Sequence, residues 1–462
     1  MPVADTPIEL PYQRDALASI DALRGLPHRV LLHSADTSDP RFGRYDVVSA
    51  VPDACYSYDG QAVAVDGKPV TSVKNATEAL TWLQQRSLPL AQRRATNSTD
   101  TPFSSGLIGY LGFPLHLGLE RQAPAPSDPT GLPQLWFGDY RWALVTDHQQ
   151  RWTRLVGAPP ATLALDRRLS QPARAESPAA PEFRWCSDFK PSMDRASYCR
   201  AFDRIRDYTT RGDCYQINFA RHFEARYRGE PLQLYRQWLR AQAAPFGAFI
   251  EVAPQQAVLS LSPERFLRIT PDRAGGQRLE AAPIKGTRPR GVDHSDDQRQ
   301  KLALLASEKD RAENLMIVDL LRNDLGRIAE VGSIVVTRLC EPQAFTNVHH
   351  LVSNIQGQLR SSLTSLEALA ALFPSGSVTG APKIRAIDII NELEPVGRSV
   401  YCGAIGYLCD SGNVDTSVAI RSAVADRGQL HVWGGGGLVL DSDLERELAE
   451  ISHKIGAFLN QA

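Results

Sequence analysis

No apolar run in the 462 residues approaches the roughly 20 that a membrane-spanning helix needs. The start, "MPVADTPIELPYQRD", has no basic stretch followed by an apolar one, so no secretory leader is expected. Cysteine is sparse: the seven present are odd in number, scattered, and form no C-x-x-C pair. That argues against a disulfide scaffold or a close-spaced zinc or dithiol motif, and fits reduced thiols in a cytoplasmic protein. Charge imbalance is missing too. Lys and Arg number 51 against 52 Asp and Glu, which leaves no field to draw a nucleic acid or a membrane surface. There is no fixed-period repeat, no P-loop, no G-x-G-x-x-G and no Ser-His-Asp or Cys-His pattern. What is there is a soluble composition, 43% hydrophobic and 22% charged, in a chain long enough for one large unit or two to three ordinary domains.

Proline-rich segments at 120–133 and 157–183 read as loop or linker. They divide the chain into a region 1–160, a Pro/Ala-rich linker 161–183 and a region 184–462. The first alternates as strands do, in "HRVLLHS" and "RWALVTD". The last mixes periods. "RASYCRAFDRIRDYTTRGD" is helical and ends near Gly212, "QAVLSLSPERFLRI" alternates as a strand pair, and the stretch from Asp296 to Gly326 is one long helical pattern. Helices with antiparallel hairpins predict an α+β fold.

Two helices carry acids three apart, Asp310 with Glu313 and Glu447 with Glu450, so each pair shares one face. Facing each other, they would make an all-oxygen site suited to Mg²⁺; apart, they are solvated faces. Ser442 and Glu445 have capping-box spacing and place the second helix start near Asp443. "WGGGG", 433–437, reads as a turn into that helix, either an anion cradle or a tight strand-to-helix turn. Ser377 and Thr379 are hydrogen-bond donors or caps. Arg421, in the apolar run "TSVAIRSA", needs an anionic partner and is a carboxylate clamp candidate. His350 and Glu264 are candidate acids or bases. Lys285, in "AAPIKGTRPRG", is either a solvated turn lysine or a reactive amine.

The motifs "DCYQINFARHF", "SLSPERF", "PIKGTRPRG", "KDRAENLMIVDLLRNDLGR", "VHHLVS", "FPSGSVTGAPKIRA" and "GGGGLVLDSDLERELAE" resemble, in order, those of the chorismate-utilising enzymes. The resemblance runs from about residue 190 to the end, and more loosely through "LLHSADTSDPRFGRYDVVSA". It implies a four-layer α/β/β/α fold with two packed, largely antiparallel sheets. The lysine in "PIKGT" resembles the branch that forms aminodeoxychorismate; anthranilate-forming relatives have alanine there.

That resemblance implies roles residue by residue. Lys285 would be the nucleophile that attacks C2 of chorismate, and Glu264 the acid/base that helps the C4 hydroxyl leave. Arg288 and Arg290, with Mg²⁺, would help to keep the amine neutral if they face it; the alternative is that both arginines point to solvent. Glu313 and Glu450 would hold Mg²⁺, with Asp310 and Glu447 behind them. Tyr401, Arg421, Gly436, Gly437 and Lys454 match positions that bind carboxylates, and His350 and Ser377 match positions near the ring. Ser377 stands where many relatives have threonine. A separate glutamine amidotransferase subunit would supply ammonia, and another enzyme would release p-aminobenzoate. Ser34, Phe42, Gly43, Arg44, Tyr45, Pro245 and Phe246 resemble the family's tryptophan pocket. The alternatives are an anthranilate-forming enzyme and an inactive, tryptophan-binding regulatory homologue.

Overall fold

The computed structural model describes residues 7–35, 41–94, 101–119, 124–160, 163, 165–170, 182–272, 274–346 and 348–459. Two large sheets, of 13 and 12 strands, carry the chain, and every pairing is antiparallel among the described residues. Val258, Val424 and Trp433 from the first sheet meet Ile108, Ile269 and Ile355 from the second in a shared apolar core. Alternation along each strand produces this layer, since every second side chain points to the same face.

The outer face of the first sheet is covered by Arg195–Thr210, Pro231–Ala241, Lys383–Leu393 and Leu444–Leu459. Ala76–Arg94, Glu308–Gly326 and Ser365–Leu372 lie over the second. The α+β, four-layer expectation holds. No helix among the described residues is long and apolar enough to cross a membrane.

Residues before 160 contribute five strands to each sheet. Strand Val30–His33 pairs with Phe246–Ala253, and Gly106–Leu111 with Ala404–Cys409. The two sides of the proline-rich segment therefore share both sheets. Most of that segment lies outside the described residues, but Leu165–Ser170 within it is helical, with Leu163 and Leu165 packed against the core.

Three local expectations change. The strands Gln256–Ser262 and Arg265–Pro271 do not pair with each other: the first belongs to one sheet and the second to the other. The chain crosses between sheets at Pro263 and Glu264. The long helical pattern breaks at Ser307, whose extended backbone (φ −72°, ψ 103°) ends His294–Ala306 and caps Glu308–Gly326 through Asp310 N. "GGGG" is strand, not turn: Gln429–Leu438 pairs through it with Gln216–Arg228.

Candidate functional site

Lys285 lies on Ile284–Pro289, paired with Val348–Gln358. A bulge between Lys285 and Thr287 breaks the register, and Gly286 supplies the φ of +77° that the bend requires. A side chain at 286 would also meet Asp310 Cβ at 3.0 Å. At the bulge Lys285 is half-buried, in the cleft that Glu264 and the helices Glu308–Gly326 and Leu444–Leu459 border.

Burial pushes the Lys285 amine below its usual range, opposed by Glu313, reinforced by Lys454, and opposed again by Glu264 and Glu450. These interactions name its neighbours, which come from the crossover and from the helices Glu308–Gly326 and Leu444–Leu459. Arg288 and Arg290 are not among them. Arg288 Nη2 donates to Asp310 Oδ2 at 2.9 Å, and Arg290 Nε to Asp297 Oδ1 at 2.7 Å. The cation beside the amine is Lys454, and Asp310 is drawn away onto Arg288.

Glu264 occupies the crossover and is 5% exposed. Burial raises its carboxyl to about 7, against a hydrogen bond from Ser377 and the charge of Lys285. Its main chain is tied at both ends: Val418 N donates to Glu264 O at 3.0 Å, and Glu264 N donates to Ser262 Oγ at 3.2 Å. The second crossover, 419–421, runs alongside, with Leu261 N donating to Arg421 O at 3.0 Å. Arg421, at φ 51°, is depressed to about 10 by burial, with no counter-ion among the described residues. A cation so placed suits an incoming carboxylate.

His350 Nδ1 lies 3.0 Å from Thr287 Oγ1 and 3.3 Å from Gly286 O. Burial, then Arg421, lowers it to about 3, so the ring is neutral. Tyr401 stacks on Trp433 (6.3 Å, 9°), and burial raises its phenol. Ser377 sits in the turn Gly376–Val378, its hydroxyl 2.9 Å from that of Ser375. Thr379 is spent inside the turn, donating to Ser375 O at 3.1 Å.

The glycine strand explains its own composition. A Cβ at Gly436 would stand 3.1 Å from Glu447 Oε2 and 3.9 Å from both Glu450 Oε1 and Lys454 Nζ. Gly434 has Ile455 at 2.7 Å, and Gly437 has Gln216 Nε2 at 2.8 Å. Bare backbone lets Leu444–Leu459 lie against the sheet with its acids over the cleft. Asp443, not Ser442, caps that helix, accepting from Arg446 N at 3.0 Å. Ser442 instead donates to Glu447 Oε1 at 2.7 Å.

Glu313 and Glu450 both act on Lys285. Burial raises Glu447, countered by Ser442 and reinforced by Glu450. Lys454 lies 2.5 Å from Glu450 Oε1, and Lys309 3.7 Å from Glu313 Oε1. Burial works to raise Glu450, but Lys454 outweighs it and lowers the carboxyl, and the carboxylates of Glu313, Glu447 and Glu450 are an oxygen donor set of the kind a hard divalent cation takes.

Sequence reasoning missed the support beneath these residues. Arg398 is fully buried. It pairs with Glu394 at 2.6 Å and donates to Val378 O and Asn218 O. It lies 5.9 Å from the Tyr401 ring. The only cue is the i,i+4 pair inside "ELEPVGRSVY".

A second cavity opens between the sheets, lined by Phe42, Arg44, Tyr45, Pro245, Phe246 and Arg265. It holds about 790 Å³ of empty space, counting the open solvent at its mouth. Phe42 meets Phe246 edge-on at 6.3 Å, and Arg265 lies about 5 Å from both rings. Ser34 lines it but is already engaged, with N–H to Asp46 Oδ1 (2.7 Å) and hydroxyl to Tyr45 O (2.8 Å). Arg44 is tied to Asp147 at 2.7 Å, and Gly43 is buried in the adjoining turn. Phe345 bridges from Phe42 (6.4 Å) to His350 (5.4 Å).

The chorismate binding enzyme family profile matches residues 30–460. Aminodeoxychorismate synthase component 1 of Escherichia coli K12 is 39% identical over 98% of both chains. Anthranilate synthase component 1 of Pseudomonas aeruginosa is 32% identical over 98% of this chain and 95% of its own. The structure of anthranilate synthase component I from Streptococcus pneumoniae superposes with TM-score 0.76 at 27% identity, covering 90% of this chain and 92% of that one.

Proposed function

This chain belongs to the chorismate-binding enzymes, and on that premise we propose that it aminates chorismate at C4, giving 4-amino-4-deoxychorismate. The observation that carries this is Lys285, an enclosed amine pushed toward its neutral form beside a carboxyl near 7. A neutral amine is a nucleophile, and an acid with a pKa near working pH both gives and takes protons.

Lys285 Nζ attacks C2 of the diene ring, the double bond shifts, and the C4 hydroxyl leaves as water with the proton of Glu264. Ammonia then adds at C4, the double bond shifts back, and the lysine is released. Glu264 takes the proton that the incoming nitrogen sheds. Arg421 and Tyr401 hold one substrate carboxylate, and Lys454 with the main chain of Gly436 and Gly437 receives the other. His350, neutral and anchored through Nδ1, accepts from a ring hydroxyl through Nε2. Ser377 orients Glu264. Mg²⁺ would be held by Glu313 and Glu450, with Glu447 behind them, and would supply positive charge to the ring carboxylate.

Ammonia comes from a separate glutamine amidotransferase subunit, and the product feeds p-aminobenzoate and folate synthesis in the cytoplasm. The inter-sheet cavity takes tryptophan, its indole packed beside Phe42 and Phe246. The relative at 32% identity favours anthranilate as the competing product. Incubating the purified chain with chorismate, Mg²⁺ and ammonium and resolving the products decides between them. Aminodeoxychorismate is expected, and anthranilate would overturn the proposal.

A further inference from the structure

The strands Gln216–Arg228 and Gln429–Leu438 carry a second cluster, at the opposite end from the glycines. Glu224 lies directly across from His431, and His222 across from Trp433. The i,i+2 spacing turns His222 and Glu224 to one face. On that face three donors converge. His222 Nε2 and His431 Nδ1 are 3.0 Å apart, Glu224 Oε2 is 4.0 Å from His431 Nδ1, and all three ligand atoms lie within 4.8 Å.

The imidazoles are sealed, at 4% and 1% exposure. Their planes are 19° apart and their centroids 5.3 Å, so the rings lie end to end along the N···N contact, and His222 packs on Trp433 at 4.9 Å. The Glu224 carboxylate is 46% exposed, so the third donor stands at the solvent door. Among the described residues each ring has one hydrogen-bond partner, the other ring, and His222 Nδ1 and His431 Nε2 are buried without any. Two apolar side chains would fill this space without leaving polar atoms unpaired.

We propose that His222, His431 and Glu224 bind one late first-row divalent cation, Zn²⁺ by preference, with water completing a tetrahedron. Two nitrogens at the usual Zn–N length of about 2.0–2.1 Å stand roughly 3.3 Å apart in a tetrahedron. The observed pair has to open by about 0.3 Å, and each ring has to turn so that its lone pair aims at the ion and not at the other nitrogen. Two imidazoles and a carboxylate suit zinc and not Mg²⁺, which takes oxygen donors. The ion joins two neighbouring strands about 17 Å along from Gly436, at roughly 3.4 Å per residue, and so braces the strand that presents the glycines to the cleft. None of this depends on the reaction proposed above.

The chain is stripped with chelator and dialysed against stoichiometric Zn²⁺ in excess Mg²⁺, and metal is counted by plasma mass spectrometry. Co²⁺ serves as optical probe. One ion per chain is expected, with the strong visible bands of four-coordinate Co²⁺ and a raised thermal midpoint. Glu224→Gln, at a half-exposed position that leaves the core intact, should weaken binding by more than the roughly 10–100-fold that loss of an outer partner costs. His431→Gln should abolish it, and the double variant Glu313→Gln, Glu450→Gln should leave it unchanged. No uptake in excess Mg²⁺, uptake that survives both Glu224→Gln and His431→Gln, or uptake lost with the Glu313, Glu450 pair would each overturn the proposal.

Discussion

Replacing Glu264 by glutamine keeps the shape of its neutral form and removes its proton. Burial raises the folded carboxyl from 4.5 to about 7, so the folded chain binds this proton more tightly than the unfolded one. The penalty is absent below about pH 4.5, grows as pH rises, and is complete above about pH 7. At about 1.4 kcal/mol per tenfold change in proton affinity, it reaches about 3 kcal/mol. Glutamine escapes it. Relative to wild type, the variant should therefore gain about 3 kcal/mol between pH 4.5 and 8, which for 462 residues is roughly 3 °C in thermal midpoint. Turnover should fall by about 10²–10⁴, the usual contribution of a positioned acid/base. Melting both proteins at pH 5 and pH 8 checks the first claim, and initial rates check the second. If the two stability profiles run parallel across this range, Glu264 does not ionise there. If turnover survives, it is not the acid.

Lys285→Arg should be inactive, because a guanidinium is not deprotonated at working pH, and ammonia-starved wild type should carry a chorismate-derived mass on the "PIKGTR" peptide. An unmodified peptide together with an active Arg variant would rule out the nucleophile. Glu313→Gln or Glu450→Gln should remove most activity at limiting Mg²⁺, since each deletes a charged oxygen from a hard-cation site; a Mg²⁺ titration of initial rates that matches wild type sinks the assignment. Tryptophan should be released on denaturation or titrate calorimetrically, with weaker binding in Phe246→Ala. Finding none by either method contradicts the assignment of the cavity.

Local pattern made much of this legible. Asp310–Glu313 and Glu447–Glu450 could be placed on helix faces because a helix's period fixes which residues are neighbours. Partners distant in the chain could not be read. Alternation in "QAVLSLSPERFLRI" fixes which side chains share a face but not which strand lies alongside, so a crossover passed for a hairpin. "GGGG" signals only that side chains are unwelcome; that Ile455 and Glu447 are the reason is a tertiary fact. Arg288 and Arg290 stood near Lys285 in sequence, yet strand geometry turned them onto Asp310 and Asp297. Lys454, 169 positions further on, took their place.

The crossover at 263–264 also limits how this protein can be re-engineered. Glu264 faces the cleft, and Arg265, the next residue, lines the inter-sheet cavity while gripping Asp415 at 2.9 Å and Glu280 at 3.1 Å. One peptide bond separates the two sites, and Phe345 links them again through ring contacts. Selecting variants of Phe42, Phe246 or Arg265 for a new cavity ligand therefore also selects on the placement of the Glu264 carboxylate and of His350. A library aimed at the cavity has to be screened on turnover as well as binding, and its productive members are those that leave the backbone of 264–265 where it is.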